Sequence, residues 1–273
     1  MKLKLTHLFL LFFCLLSLNL KAQNCFVVPN QVQYQFETSL TQDFSAHGMN
    51  PCHRNLSIHL HLIANENYEY EPDFLIIENT LVKLNDAFKR SGISFKYCEI
   101  DSIENYKYNI LALDKEIPEL RTLYYKAGVI NVFVVDSIPL SGANYSIEGH
   151  SFFPGGDDII VVSSKSFSGN GLTHQMGHFL GLYHTFETFF GLELVDGSNC
   201  QQAGDLLCDT KADKHVEQEY CNPKFIEFDP IGQKYRHSFE NIMSSHDSCR
   251  CVFTISQLNK MVYILENERS YIK

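Results

Sequence analysis

Hydrophobic and polar positions alternate strictly over Leu56-Ser57-Ile58-His59-Leu60-His61-Leu62. This puts four aliphatic side chains on one side and predicts a half-buried strand. His59 and His61 share the other face, where a solvent- or helix-facing pair is weighed against a second metal site. Pro72-Asp73 then opens a helix, with Phe74, Ile77, Leu81, Leu84 and Phe88 as its apolar stripe and Gly92 as its stop signal. Ile93 to Cys98 reads as a second strand. Strand, helix and strand in succession form a βαβ unit, which predicts parallel pairing and an α/β fold with a mostly parallel, twisted sheet.

Residues 101–128 are less regular and predict a loop with a short helix ending at Gly128. Val129 to Val135 is apolar enough for a central strand. Residues 143–153 suit an edge strand before the Pro154-Gly155-Gly156 turn, and Ile159 to Val162 another buried strand. A helix begins near Leu172. Glycine and proline break up residues 187–240, which predicts a loop-rich C-terminal subdomain. Thr254 and Gln257 form a capping box for a last helix that buries Leu258, Met261, Val262 and Leu265. Residues 24–50 are polar and read as an irregular N-terminal extension. The expected organisation is therefore an extension over 24–50 and a folded domain over 51–273, with an upper part at 51–184 and a lower one at 185–273.

Composition adds the compartment. Lys2 and Lys4, an apolar run from Leu8 to Leu20 and Ala22-Gln23 make residues 1–23 a secretory signal. No later stretch is long enough to span a membrane. The whole chain carries a net charge of −10, and removing a segment with three lysines and no acid makes the mature chain more acidic still. That argues against nucleic acid or an anionic membrane as partner. Eight cysteines follow the signal: Cys25, Cys52, Cys98, Cys200, Cys208, Cys221, Cys249 and Cys251. In an exported chain this predicts cross-links, with at least one disulfide among the last five, although spacing alone leaves the pairing open.

The chemistry is concentrated in Leu172-Thr173-His174-Gln175-Met176-Gly177-His178-Phe179-Leu180-Gly181-Leu182-Tyr183-His184. On a helix His174 and His178 share one face, and Gly181 lets the backbone leave so that His184 can supply a third imidazole. Three neutral imidazoles and an open position describe a catalytic zinc site. The spacing is that of the long zinc-protease motif, except that Gln175 occupies the position of its glutamate. That glutamate takes a proton from the attacking water and passes it to the leaving amine. A Gln amide cannot accept that proton near neutral pH.

With these residues in place, the chain resembles the pappalysin-like metzincins, secreted zinc endopeptidases that include the pappalysins and ulilysin. The resemblance runs from about Leu56 to Met261 and implies a metzincin fold. It implies zinc on His174, His178 and His184, and Met243 as the Met-turn residue under the metal. Gly204-Asp205 with Asp209-Thr210 is similar to a family segment that contributes to calcium binding, so Asp205, Asp209 and Thr210 are candidate calcium ligands. Two departures touch the chemistry. Gln175 replaces the base, and Ser245 stands where the family usually has a tyrosine that stabilises the oxyanion.

The expected function is a secreted, zinc-binding pseudoprotease that holds an extended peptide or protein partner as a monomer and hydrolyses it weakly. The alternative is an active zinc endopeptidase with an unusual base, for which Glu187 and Asp247 are the nearby acids. A third reading is a structural domain with a vestigial site.

Overall fold

The computed structural model describes residues 27, 29–40, 44, 51–70, 72–142, 145–215, 226–245 and 249–273. The signal segment, Cys25, Cys221 and Asp247 lie outside the described residues. In chain order the main elements are α1 (Gln31–Ser39), β1 (Arg54–Ile63), α2 (Phe74–Phe88), β2 (Ile93–Ile103) and α3 (Leu113–Tyr124). They continue with β3 (Ile130–Val135), β4 (Ile138–Pro139), β5 (Ser146–Ile147), β6 (Gly149–Ser151) and β7 (Ile159–Ser163). Then come α4 (Ser164–Phe167), α5 (Gly171–Phe179) and α6 (Ile255–Asn267).

The main sheet has the order β2-β1-β3-β7-β6. β1 pairs in parallel with β2 and β3, and β3 with β7, while β6 runs antiparallel along the edge. This is the expected mixed, mostly parallel sheet. β4 and β5 form a separate small hairpin, so the edge strand predicted over 143–153 contracts to its second half.

β1 is not half-buried. Its inner position in the sheet places a layer on each face. Leu56, Ile58, Leu60 and Leu62 pack with α2, α5 and α6 residues in one cluster, whereas Ile63 joins Ile117 and Leu120 of α3 in a second. His59 and His61 are consequently buried too, at 6% and 0% exposure. The alternating pattern specified the two faces but not that both would be covered. The stripe of α2 also shifts. Asp73 caps the helix by accepting from the Ile76 amide at 2.9 Å, and the buried line is Ile77, Thr80, Leu84 and Phe88. Thr80 belongs there because its hydroxyl donates to the Phe167 carbonyl at 3.0 Å. Phe74, expected in the stripe, is 70% exposed.

The N-terminal extension is not irregular throughout. Asn30 and Gln33 form a capping box that starts α1. Glu37 of α1 pairs with the buried Lys260 of α6 at 2.7 Å, and Tyr34 stacks on Phe190. Thr254 and Gln257 cap α6 as expected, and Leu258, Met261, Val262 and Leu265 are buried.

A buried arginine fastens the sheet to the end of α5. Arg269 is fully buried over the Phe179 ring, its Nε donates to the Phe179 carbonyl at 3.0 Å, and its Nη2 reaches the carbonyls of Phe152 and Phe153. Its Nη1 pairs with Asp158, which also accepts from Tyr125 and Tyr271. Removing one partner of a buried pair leaves an uncompensated charge. Arg269→Met is therefore expected to lower stability by about 3–5 kcal/mol in denaturant unfolding. Adding Asp158→Asn should recover part of that loss, and strictly additive losses would show that the pair is not the source.

Candidate metal centre

Every residue of α5 is buried, because the helix packs under the sheet with β6 and β7 on one side and α2 on the other. A helical spacing of four brings His174 and His178 to one face, where their Nε2 atoms lie 3.2 Å apart. The helix then ends in a Schellman turn. Gly181 takes φ +87°, its amide donates to the His178 carbonyl at 2.9 Å, and the Leu182 amide donates to the Gly177 carbonyl at 2.9 Å. The turn carries His184 back toward the helix, and its Nε2 arrives 3.1 Å from that of His178.

Backbone carbonyls set the tautomers. His174 Nδ1 donates to the Ile242 carbonyl at 2.7 Å and His178 Nδ1 to the Leu182 carbonyl at 2.8 Å. With Nδ1 protonated, the converging Nε2 atoms present lone pairs. Nitrogens bound tetrahedrally at 2.0–2.1 Å from zinc stand about 3.3 Å apart, so the observed spacing fits a metal of that size. Burial holds all three rings neutral. It lowers His178 to about 3, and it places His174 and His184 well below the ordinary imidazole range. The buried Arg250 guanidinium adds to the effect on each. Arg250 donates from Nε to the Ser244 carbonyl at 2.9 Å and lies 3.7 Å from Glu148. Nothing in the hydrophobic pattern around Arg250 signals a buried cation here.

Met243 lies beneath the site. A Cβ on Gly177, between the two helical histidines, would stand 2.5 Å from Met243 Sδ. The turn that presents Met243 is tied on three sides. Asn241 Oδ1 accepts from the Met243 amide at 2.8 Å, Asn241 and Gln257 exchange two side-chain hydrogen bonds, and the Thr185 amide donates to the Met243 carbonyl at 3.1 Å. Gln257 thus serves both the α6 cap and this turn. Ser245, two residues on, is buried.

Gln175 is 1% exposed and faces the edge strand. Ser151 of β6 directs its hydroxyl at both the Gln175 Oε1 (3.1 Å) and its backbone carbonyl (3.0 Å). A Cβ on Gly149 would come within 2.8 Å of Gln175 Cγ and 3.0 Å of Nε2. The Gly149 position is one the strand pattern could have flagged, since glycine in a strand often marks close approach. Glu187, a stand-in base on sequence grounds, spends Oε1 on the amides of Thr188 and Phe189.

The three acidic-loop residues do not stay together. Asp205 Oδ1 accepts from Thr210 Oγ1 at 2.8 Å. Asp209 instead caps α6, accepting from Thr254 Oγ1 at 2.7 Å and the Ser256 amide at 2.8 Å. Its place beside Asp205 is taken by Glu193, which packs on Gly204. Glu193 Oε2 and Asp205 Oδ2 are buried without a hydrogen-bond partner. Burial, with each carboxylate also feeling a neighbouring acid, raises Glu193 to about 8 and Asp205 to about 7. The Cys200–Cys208 disulfide closes this loop, Cys249 is also disulfide-bonded, and Cys251 is free.

Comparison with known proteins agrees with this geometry. The family model described as pregnancy-associated plasma protein-A, Peptidase_M43, matches residues 123–266. An extracellular metalloprotease of Arthroderma gypseum is 27% identical over 252 residues, covering 85% of this chain and 78% of its own length. One from Colletotrichum graminicola is 26% identical over 71% of this chain and 69% of its own. Mature mirolysin of Tannerella forsythia, solved with a cleaved peptide, superposes with a TM-score of 0.59 at 17% identity, covering 82% of this chain and 96% of that one. The fold is that of a metzincin metallopeptidase. Within that class, the chain belongs to the pregnancy-associated plasma protein-A family, the pappalysins. Among the described residues no helix is long and apolar enough to cross a membrane.

The Met243 contact yields a test of packing. Gly177→Ala gains up to about 1 kcal/mol of helix propensity but overpacks against Met243 Sδ, at about 1–3 kcal/mol. Denaturant unfolding should show a net loss, and Met243→Ala in the same chain should turn the Ala substitution favourable. A stabilising Gly177→Ala in the otherwise wild-type chain would mean that Met243 moves aside freely.

Proposed function

We propose that the chain is a secreted zinc-binding pseudoprotease that holds extended peptides along its edge strand and hydrolyses them slowly or not at all. The observation that carries this reading is the Gln175 amide, packed on Gly149 and engaged by Ser151 at the position of the general base. The convergent His174, His178 and His184 Nε2 atoms support zinc as the metal. When bound there, zinc would supply a Lewis acid able to polarise water and a peptide carbonyl.

The chain's own residues then act as follows. β6 pairs on one side with β7 and stands last in the sheet, so an extended peptide can add to its other edge through backbone hydrogen bonds. Gln175 Oε1 can accept a hydrogen bond from water, but it has no basic site to take the proton and return it to a leaving amine. Ser245 is too short to reach the place of a tyrosine hydroxyl. Glu187, one candidate for another base, spends its Oε1 on the amides of its own turn.

Metal content and peptide-library cleavage, measured on wild type and variants, test the reading. Wild type should hold zinc and bind peptides with little cleavage. Gln175→Glu should raise cleavage by roughly 10²–10⁴-fold. Ser245→Tyr added to it should give a further gain of up to ~10²-fold, without strict additivity because both act on one transition state. Robust, chelator-sensitive cleavage by the wild type, unchanged by Gln175→Glu, would overturn the proposal.

The same reading includes a calcium ion on the acidic loop, held by Glu193 and Asp205 beside Thr210. Two buried carboxylates with unpartnered oxygens favour a hard divalent cation. Calcium at 100 times its dissociation constant should stabilise wild type by about 2.7 kcal/mol, a rise in Tm of about 5–10 °C for a domain of this size. Asp205→Asn should abolish the response and Asp209→Asn should not. Equal responses in both variants would remove calcium from this loop.

A further inference from the structure

On the opposite face of the sheet from α5, strand geometry assembles a second set of donors. In β2 the residues facing the α2 and α5 layer are first odd-numbered: Ile93 and Phe95 are buried in that cluster. The register with β1 then slips between Ile58 and His59, where Cys98 is the extra residue. Beyond the bulge the parity reverses, and Ile103 is buried in the cluster of the other face. Glu99 and Asp101 therefore pair with His59 and His61 rather than with Leu60 and Leu62. By absorbing Cys98 as an extra residue, the bulge keeps two carboxylates off the apolar face and on the histidine face. Bulges that re-aim side chains in this way are over-represented next to functional sites.

The resulting contacts are close. Asp101 places Oδ1 2.8 Å from His61 Nδ1 and Oδ2 3.1 Å from His59 Nε2, and Glu99 Oε2 is 3.9 Å from the same Nε2. The two rings lie with centroids 3.9 Å apart, and His61 stacks on Phe133 at 4.3 Å, which fixes its plane. His59 and His61 are buried, while the side chains of Asp101 and Glu99 remain 36% and 49% exposed, leaving a way in from solvent.

Asn131 decides what His61 can do. Its Nδ2 donates to the carbonyls of Lys126 and Val129, and its Oδ1 accepts from the Lys126 amide at 2.9 Å, so the backbone fixes which end is oxygen. That oxygen faces His61 Nε2 at 3.5 Å. Both nitrogens of a buried imidazole thus face acceptor oxygens, yet a neutral ring has one N–H. An imidazolium at 0% exposure would carry a desolvation cost that the partly exposed Asp101 carboxylate at 2.8 Å offsets only in part. A cation between His61 Nδ1 and Asp101 resolves the conflict, because Nε2–H can then donate to Asn131. A ligand histidine oriented by a side-chain acceptor behind it is the usual arrangement at metal sites.

We propose that His59 Nε2, His61 Nδ1 and the Asp101 carboxylate form a second zinc-binding site on the face of the sheet remote from α5; Glu99 lies beside it, paired with Lys126 at 2.5 Å. Two imidazoles and carboxylate oxygens suit zinc. Ligands from both strands would tie β1 to β2 across the bulge. The inference does not depend on whether the first site hydrolyses peptides.

The test separates the two sites by removing the first. His178→Ala protein, dialysed against metal-free buffer and reloaded, should retain about one equivalent of zinc per chain by elemental analysis. Cobalt in its place should give the visible absorption of a four-coordinate ion. Asp101→Asn, nearly isosteric and partly exposed, should weaken zinc binding in that background by at least about tenfold, and His59→Gln with Asp101→Asn should abolish it. Circular dichroism on each variant establishes that the domain is folded. Folded His178→Ala protein that takes up no zinc or cobalt, or takes it up equally with and without Asp101→Asn and His59→Gln, would overturn the proposal.

Discussion

Two backbone carbonyls govern the centre of this molecule. Those of Ile242 and Leu182 each accept an Nδ1–H from a histidine of α5, and this leaves both Nε2 lone pairs converging on one point. Neither carbonyl is a local accident. Leu182 is placed by the Schellman turn at Gly181, so the device that stops the helix also orients one of its rings. Ile242 is placed by a chain of contacts that starts at the α6 cap, passes from Gln257 to Asn241 and continues along the backbone. A metal-binding geometry can therefore be set before any metal arrives, and its precision depends on a helix cap more than seventy residues away in the chain.

Much of this was legible in the sequence, for physical reasons that differ by element. The three histidines and Gly181 could be read because a helix of period 3.6 and a left-handed residue leave few other arrangements. Thr254 and Gln257 could be read because capping is local. Strand order was partly legible through the βαβ pattern. The unread parts depend on contacts far apart in the chain. That β1 is covered on both faces follows from α3, whose sequence carried a weak signal. Asp209 looked like a partner of Asp205 because the two carboxylates stand four apart in one short segment after Gly204, but its carboxylate goes to α6, and Glu193 arrives from a loop with no pattern. Arg269 and Arg250 gave no sign of burial, since long charged side chains are ordinarily exposed.

The resemblance to a peptidase family and the departures from it occupy different parts of the fold. The residues that hold rings and turns in place are present: Gly181, Asn241, Met243 and Gln257. The departures, Gln175 and Ser245, fall at positions where the resemblance implies proton transfer and charge stabilisation. Gln175 in turn has a structural occupation, since its amide fills the space that Gly149 leaves open and meets the Ser151 hydroxyl.

The bulge at Cys98 makes the length of β2 matter as much as its composition. A strand can absorb many exchanges of side chain, and losing Cys98 itself would leave a regular strand with the same facing. Losing one residue between Glu99 and Asp101 would instead turn Asp101 toward the layer that holds Leu60 and Leu62 and take Ile103 out of its own cluster. Divergence in this segment should therefore accumulate as substitutions, with gaps and insertions displaced to the turns that flank it.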